Sequence, residues 1–148
     1  MKVAIGCDHA GVSMKNEIVP VLDELSIEWV DFGTKDEESV DYPDFGEKVS
    51  DAVSRGDVDR GILICGTGIG MSIVANKVPG IRAALCQEDY SAKMSRLHND
   101  ANVLVLPGRI IDKERAIEIV KAWFTTDFEG GRHQRRLDKI KDIEEKQR

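Results

Sequence analysis

The chain is predicted to form an α/β domain built on a five-stranded parallel sheet covered by helices on both faces. Three observations carry this. Strand-like and helix-like segments alternate along the whole length. The strand segments are apolar at successive positions rather than at every second one, as expected of strands buried on both faces. Glycine-rich or polar loops follow the strands, where such sheets place their ligands.

Lys2-Val3-Ala4-Ile5-Gly6-Cys7 reads as the first strand, with Asp8-His9-Ala10-Gly11 as the loop at its end. Ser13 to Leu25 follows with Ile18, Val21, Leu22 and Leu25 at helical spacing; Pro20 is expected to kink or shorten it. Glu28 to Phe32 is the second strand. A polar loop from Gly33 to Pro43 leads to a helix over about Asp44 to Arg55, with Phe45, Val49, Ala52 and Val53 on one side. Ile62 to Cys65 is the third strand and Met71 begins its helix. Arg82 to Cys86 and Val103 to Leu106 are the fourth and fifth strands, followed by helices over Asp89 to His98 and Asp112 to Phe124. The loops after the first, third and fifth strands should meet on one rim. The remaining segment opens with Gly130-Gly131, and Arg132 and Arg136 share a helix face if a helix starts there. Its stripe of Leu137, Ile140 and Ile143 is narrow, which suits packing on a neighbour better than a deep core.

The densest chemistry lies in Cys65-Gly66-Thr67-Gly68-Ile69-Gly70. Glycines between a strand and a helix let backbone N–H groups turn toward an anion or a developing oxyanion. The loop lacks the Gly-Lys-Ser/Thr ending of a nucleotide P-loop, and its third glycine is misplaced for the dinucleotide fingerprint, although Glu88 lies near the spacing of a ribose-binding acid. No room remains for a separate substrate domain. From position alone Cys65 is either a small buried hydrophobe, as Cys7 and Cys86 are expected to be, or a thiol activated at the edge of the loop. His9 and His98 sit in loops where structural histidines are also common. The arginine cluster is either a solvated face or a phosphate site. The histidines and cysteines show no short zinc-type ligand spacing, so no metal is expected.

With 148 residues the chain suits a single domain over 1–148, and a net charge of −6 argues against nucleic acid or acidic membrane as partners. Three scattered cysteines are not a disulfide framework and fit a reducing compartment. No signal peptide or membrane span is evident, so the cytoplasm is the expected location.

An ordered set of fragments then runs nearly end to end. It comprises Gly6 to Gly11, Asp41-Tyr42-Pro43, Ile64 to Gly70, Ala75-Asn76-Lys77, Gly80 to Ala83, His98 to Asn102, Gly108-Arg109 and Glu129 to His133. This set resembles the B-type ribose-5-phosphate isomerases and the wider family with galactose-6-phosphate and allose-6-phosphate isomerases. The resemblance implies a Rossmann-like α/β/α fold and cofactor-free aldose–ketose isomerisation of a sugar phosphate in the non-oxidative pentose phosphate pathway. It also implies a homodimer, or a tetramer built from it, with active sites shared between subunits. By the same carry-over Cys65 is the acid/base between C1 and C2, while Thr67 and the amides of Gly66, Gly68, Ile69 and Gly70 hold the enediolate. His98 assists ring opening, and Asp8, His9, Tyr42 and Asn99 contact sugar or phosphate. Arg109, Arg132 and Arg136 serve the phosphate. Some relatives carry a glutamate base further along; Ala75 and Asn76 place this chain with the cysteine type. A six-carbon sugar phosphate remains an alternative substrate, and a non-catalytic binding module a second reading.

Overall fold

A computed structural model describes residues 1–147. Its five strands are β1 (Lys2–Cys7), β2 (Glu28–Asp31), β3 (Arg60–Cys65), β4 (Ala83–Leu85) and β5 (Val103–Pro107), all parallel, in the order β2-β1-β3-β5-β4. Six helices accompany them: α1 (Val12–Glu24), α2 (Tyr42–Arg55), α3 (Ile69–Ala75), α4 (Asp89–Asn99), α5 (Lys113–Phe124) and α6 (Arg132–Lys146). The predicted fold class is observed. Element ends move by at most two residues.

The apolar strands divide their side chains between two cores. Val3, Ile5, Ile62, Ile64, Leu104 and Leu106 meet the buried faces of α1 and α5. Ala4, Leu63, Cys65, Val103 and Val105 meet α2 and α3 on the other face. Each strand thus alternates between two apolar layers, which is why its sequence shows no polar alternation.

The helix starts have local causes. Asp112 accepts from the Arg115 N–H and Glu88 from the Ser91 N–H, each capping the first turn of its helix. Pro43 lies in the first turn of α2, where its missing N–H has no intrahelical partner to lose, so that helix begins at Tyr42, before the expected Asp44. Pro20 does not shorten α1, which runs unbroken from Val12 to Glu24. The proline is exposed, and the buried face formed by Ile18, Val21 and Leu22 outweighs one absent backbone bond.

β1 sends its chain to one side of the sheet and β3 to the other, so the crevice between their carboxyl ends is the topological switch point. Backbone bonds draw the neighbouring loops together there. The Asp8 N–H donates to the Ile64 carbonyl at 3.2 Å, the Gly108 N–H to Cys65 at 2.9 Å and the Arg109 N–H to Gly66 at 3.0 Å.

The C-terminal stripe stands apart from both cores. Leu137 is buried, but Ile140 and Ile143 are exposed over a cleft of about 770 Å³ between α6, α4 and the edge strand β4. The Gly80 N–H donates to Glu144 Oε1 at 2.8 Å and ties α6 to the loop entering β4.

Candidate active site

Cys65 ends β3, with its side chain among Leu63, Met71 and Val105 and only 5% of the residue exposed. The next residues turn sharply. Gly68 takes φ +78°, and a side chain there would also meet Leu85 Cδ1. Gly70 is needed for another reason: the Tyr42 ring lies against it, and a Cβ would stand 2.5 Å from two ring carbons. Thus the start of α2 closes one side of the glycine loop. On the opposite side Arg109 lies across Gly66, its Nη1 3.6 Å from where a Cβ would be.

Thr67 is exposed at the mouth, and its Oγ1 accepts the Ile69 N–H at 3.2 Å. That bond consumes one amide of the expected cradle and leaves the Thr67 hydroxyl proton free to donate outward. Among the described residues, the N–H groups of Gly66, Thr67 and Gly68 have no protein acceptor. The helix after them has only seven residues. Local amides, rather than a helix dipole, are therefore the principal electropositive feature of this loop.

Asp8 and His9 border the same crevice. Asp8 is buried and its Oδ1 accepts the Ala10 N–H at 3.0 Å, shaping the turn. His9 Nδ1 accepts the Val40 N–H at 3.2 Å, which leaves Nε2 as the protonated nitrogen of the neutral ring. The loop carrying Val40 is itself anchored by Lys15, a buried lysine that sequence reasoning missed. Lys15 Nζ donates to the Thr34 carbonyl at 2.7 Å and lies 3.0 Å from Asp31 Oδ2. Burial pushes the Asp31 carboxyl up, but Lys35, Lys15 and the Gly33 N–H outweigh it and hold the group below the usual carboxylate range.

The other two cysteines are more deeply enclosed. Burial raises the Cys7 thiol, against the pull of Lys15, and pushes Cys86 up to about 11. Both are inert hydrophobes by this measure.

His98, Asn99, Arg132 and Arg136 are elsewhere in the chain's own fold. His98 and Asn99 end α4, and Arg82, at the start of β4, donates to the Asn99 and Asp100 carbonyls at 2.9 Å each. The Gly61 N–H donates to Asn102 at 3.0 Å, fixing that segment at the amino end of β3. Four residue steps of strand separate Gly61 from Cys65, about 13 Å at the usual rise. The expected site is therefore split, with one half at each end of the strands.

The second half contains a feature not expected from sequence. The His98 and His133 rings stack with centroids 4.1 Å apart and planes 14° from parallel. Glu129 Oε2 lies 4.0 Å from His98 Nε2 and 3.8 Å from His133 Nε2. The four-residue spacing of Glu129 and His133 beside a glycine-led helix start was the available signal. The Glu129 N–H donates to the Leu97 carbonyl at 3.0 Å and brings the two segments together.

These features have counterparts among known proteins. Residues 3–140 match the model of the family described as ribose/galactose isomerase. Ribose-5-phosphate isomerase B of Escherichia coli is 51% identical over 145 residues, covering 98% of this chain and 97% of that protein. The solved ribose-5-phosphate isomerase B of Clostridium thermocellum superposes with a TM-score of 0.97 at 55% identity, over 100% of both chains. The Mycoplasma genitalium ribose-5-phosphate isomerase B, solved with bound ribulose-5-phosphate, gives a TM-score of 0.92 at 42% identity, covering 97% of this chain and 96% of that one.

Proposed function

We propose that this chain, a member of the ribose/galactose isomerase family, interconverts ribose 5-phosphate and ribulose 5-phosphate through an enediolate formed at Cys65. The observation that carries this mechanism is the thiol at the carboxyl end of β3, beside the Thr67 hydroxyl and three unengaged amides. In the open-chain aldose the Cys65 thiolate removes the proton from C2. The electron pair forms the C1–C2 double bond, and charge collects on O1. The amides of Gly66, Thr67 and Gly68 and the Thr67 hydroxyl stabilise that charge; O1 takes up the proton that O2 gives up, and Cys65 returns its own proton to C1 as O2 becomes the ketone oxygen. His9 donates from Nε2 to the substrate, and Arg109 serves its phosphate with donors suited to bidentate contact.

Ring opening requires His98, and phosphate binding also draws on Arg132 and Arg136. Within one chain they lie toward the amino ends of the strands, away from Cys65, so a second copy supplies them. The open cleft beside α6, with Ile140 and Ile143 exposed and β4 unpaired on its outer edge, supports a homodimer in which this face meets the partner. The enzyme acts in the cytoplasm, in the non-oxidative pentose phosphate pathway. No helix among the described residues is long and apolar enough to cross a membrane.

The test is a coupled assay on ribose 5-phosphate, allose 6-phosphate and galactose 6-phosphate with wild type and Cys65→Ala. Ribose 5-phosphate should give the highest kcat/KM, and the substitution should lower turnover roughly 10²–10⁴-fold in a folded protein. Preference for a six-carbon substrate would reassign the substrate, and near-normal turnover without the thiol would remove Cys65 from the chemistry.

A further inference from the structure

We propose that His98, Glu129 and His133 form a binding site for a divalent transition-metal ion of the zinc class. The three donor atoms come from separate turns of chain yet lie within 4.8 Å of one another. One carboxylate and two imidazoles are a common donor set for zinc, which leaves a fourth position open. Tetrahedral coordination places donors roughly 3.3 Å apart, given zinc–ligand bonds near 2.0 Å. The Glu129 oxygen at 3.8 and 4.0 Å need move only slightly, but the His98 ring must turn out of its stack with His133, because two rings 14° from parallel cannot both hold one ion in their planes. His98 and Glu129 are part-exposed and able to turn, whereas His133 is held.

An independent observation points to an absent partner. His133 is 5% exposed, and its Nε2 has no hydrogen-bond partner while facing this cluster. A buried ring nitrogen without a partner is unfavourable, and a metal would satisfy it. Arg132 and Arg136 repel a cation nearby, so micromolar rather than nanomolar affinity is expected.

Such an ion would occupy the Nε2 of His98. If His98 opens the sugar ring, which rests on the function proposed above, zinc is an inhibitor and not a cofactor.

The probe is Zn²⁺ alone, titrated calorimetrically into the full-length, chelator-treated protein in a weakly coordinating buffer. Wild type should bind one equivalent per chain. His133→Gln and Glu129→Gln should each weaken binding at least about tenfold, while Cys65→Ala should bind as wild type does. Glu129 is half-exposed, so its substitution carries the test if His133→Gln fails to fold. Absence of binding at about 100 µM, binding indifferent to Glu129→Gln, or loss of binding in Cys65→Ala would each overturn the site. Turnover measured with the site filled separates the two claims. Slower use of cyclic substrate, reversed by chelator, supports both. Zinc bound through these residues with undiminished turnover keeps the metal site and removes His98 from the chemistry.

Discussion

The backbone N–H of Val40 donates to Nδ1 of His9 across 3.2 Å, joining positions 31 residues apart in sequence. This bond fixes which ring nitrogen carries the proton. His9 is thereby a donor at Nε2, suited to a substrate oxygen, and Nδ1 is unavailable as a base. Nitrogen-15 NMR of the histidine rings should find His9 in the Nε2–H form. Val40→Pro, which lacks the N–H, should mix the tautomers and raise KM several-fold with the fold retained. A dominant Nδ1–H form in wild type would contradict the assignment.

The Lys15–Asp31 pair has a pH consequence. Asp31 is held below its ordinary range in the folded chain, so the carboxylate adds stability above the unfolded value near 3.8. That contribution is lost as pH falls through the lower, folded value. Denaturant unfolding should therefore show wild type losing more stability than Asp31→Asn between pH 5 and about pH 2. Lys15→Met should destabilise at pH 7 by about 3 kcal/mol, since it strands a part-buried carboxylate that Lys35 only partly compensates. Equal acid sensitivity in wild type and Asp31→Asn would remove this pair as a determinant.

Gly70 and Tyr42 form a second testable contact. Gly70→Ala drives a methyl into the ring and should lower stability by about 1–3 kcal/mol. Adding Tyr42→Ala should restore much of that loss, since the two substitutions act on one contact. Gly68→Ala should not be rescued by Tyr42→Ala, because its strain lies in φ +78° and in Leu85. Thermal melts of the four variants decide between these outcomes.

The Cys65 half of the site was legible because it depends on local features. An apolar run, a cysteine and three alternate glycines require one turn at the end of one strand. The loops after the first and fifth strands could be placed beside it because parallel topology brings strand ends to one edge. His98 and His133 were not paired on paper: the contact needs the end of α4 to meet the start of α6, a tertiary event with no local periodicity. Lys15 was hidden for a similar reason. Lysine usually lies at the surface, and only the return of the Gly33–Thr34 loop encloses this one. Pro20 did not shorten its helix, because a rule for isolated helices met a helix held by its buried face.

Cys65 and His98 stand toward opposite ends of the strands of one chain's sheet, and the central claim is that they act in a single site assembled from two chains. The direct measurement mixes Cys65→Ala with His98→Asn protein, after dissociation and reassociation. In a hybrid dimer one site carries both lesions and the other neither. Random pairing makes half the dimers hybrid, so the mixture should recover about a quarter of wild-type activity on ribose 5-phosphate, while each parent alone stays nearly inactive. If hybrids demonstrably form and activity remains at the level of the parents, the two residues do not share a site across subunits, and the account is contradicted.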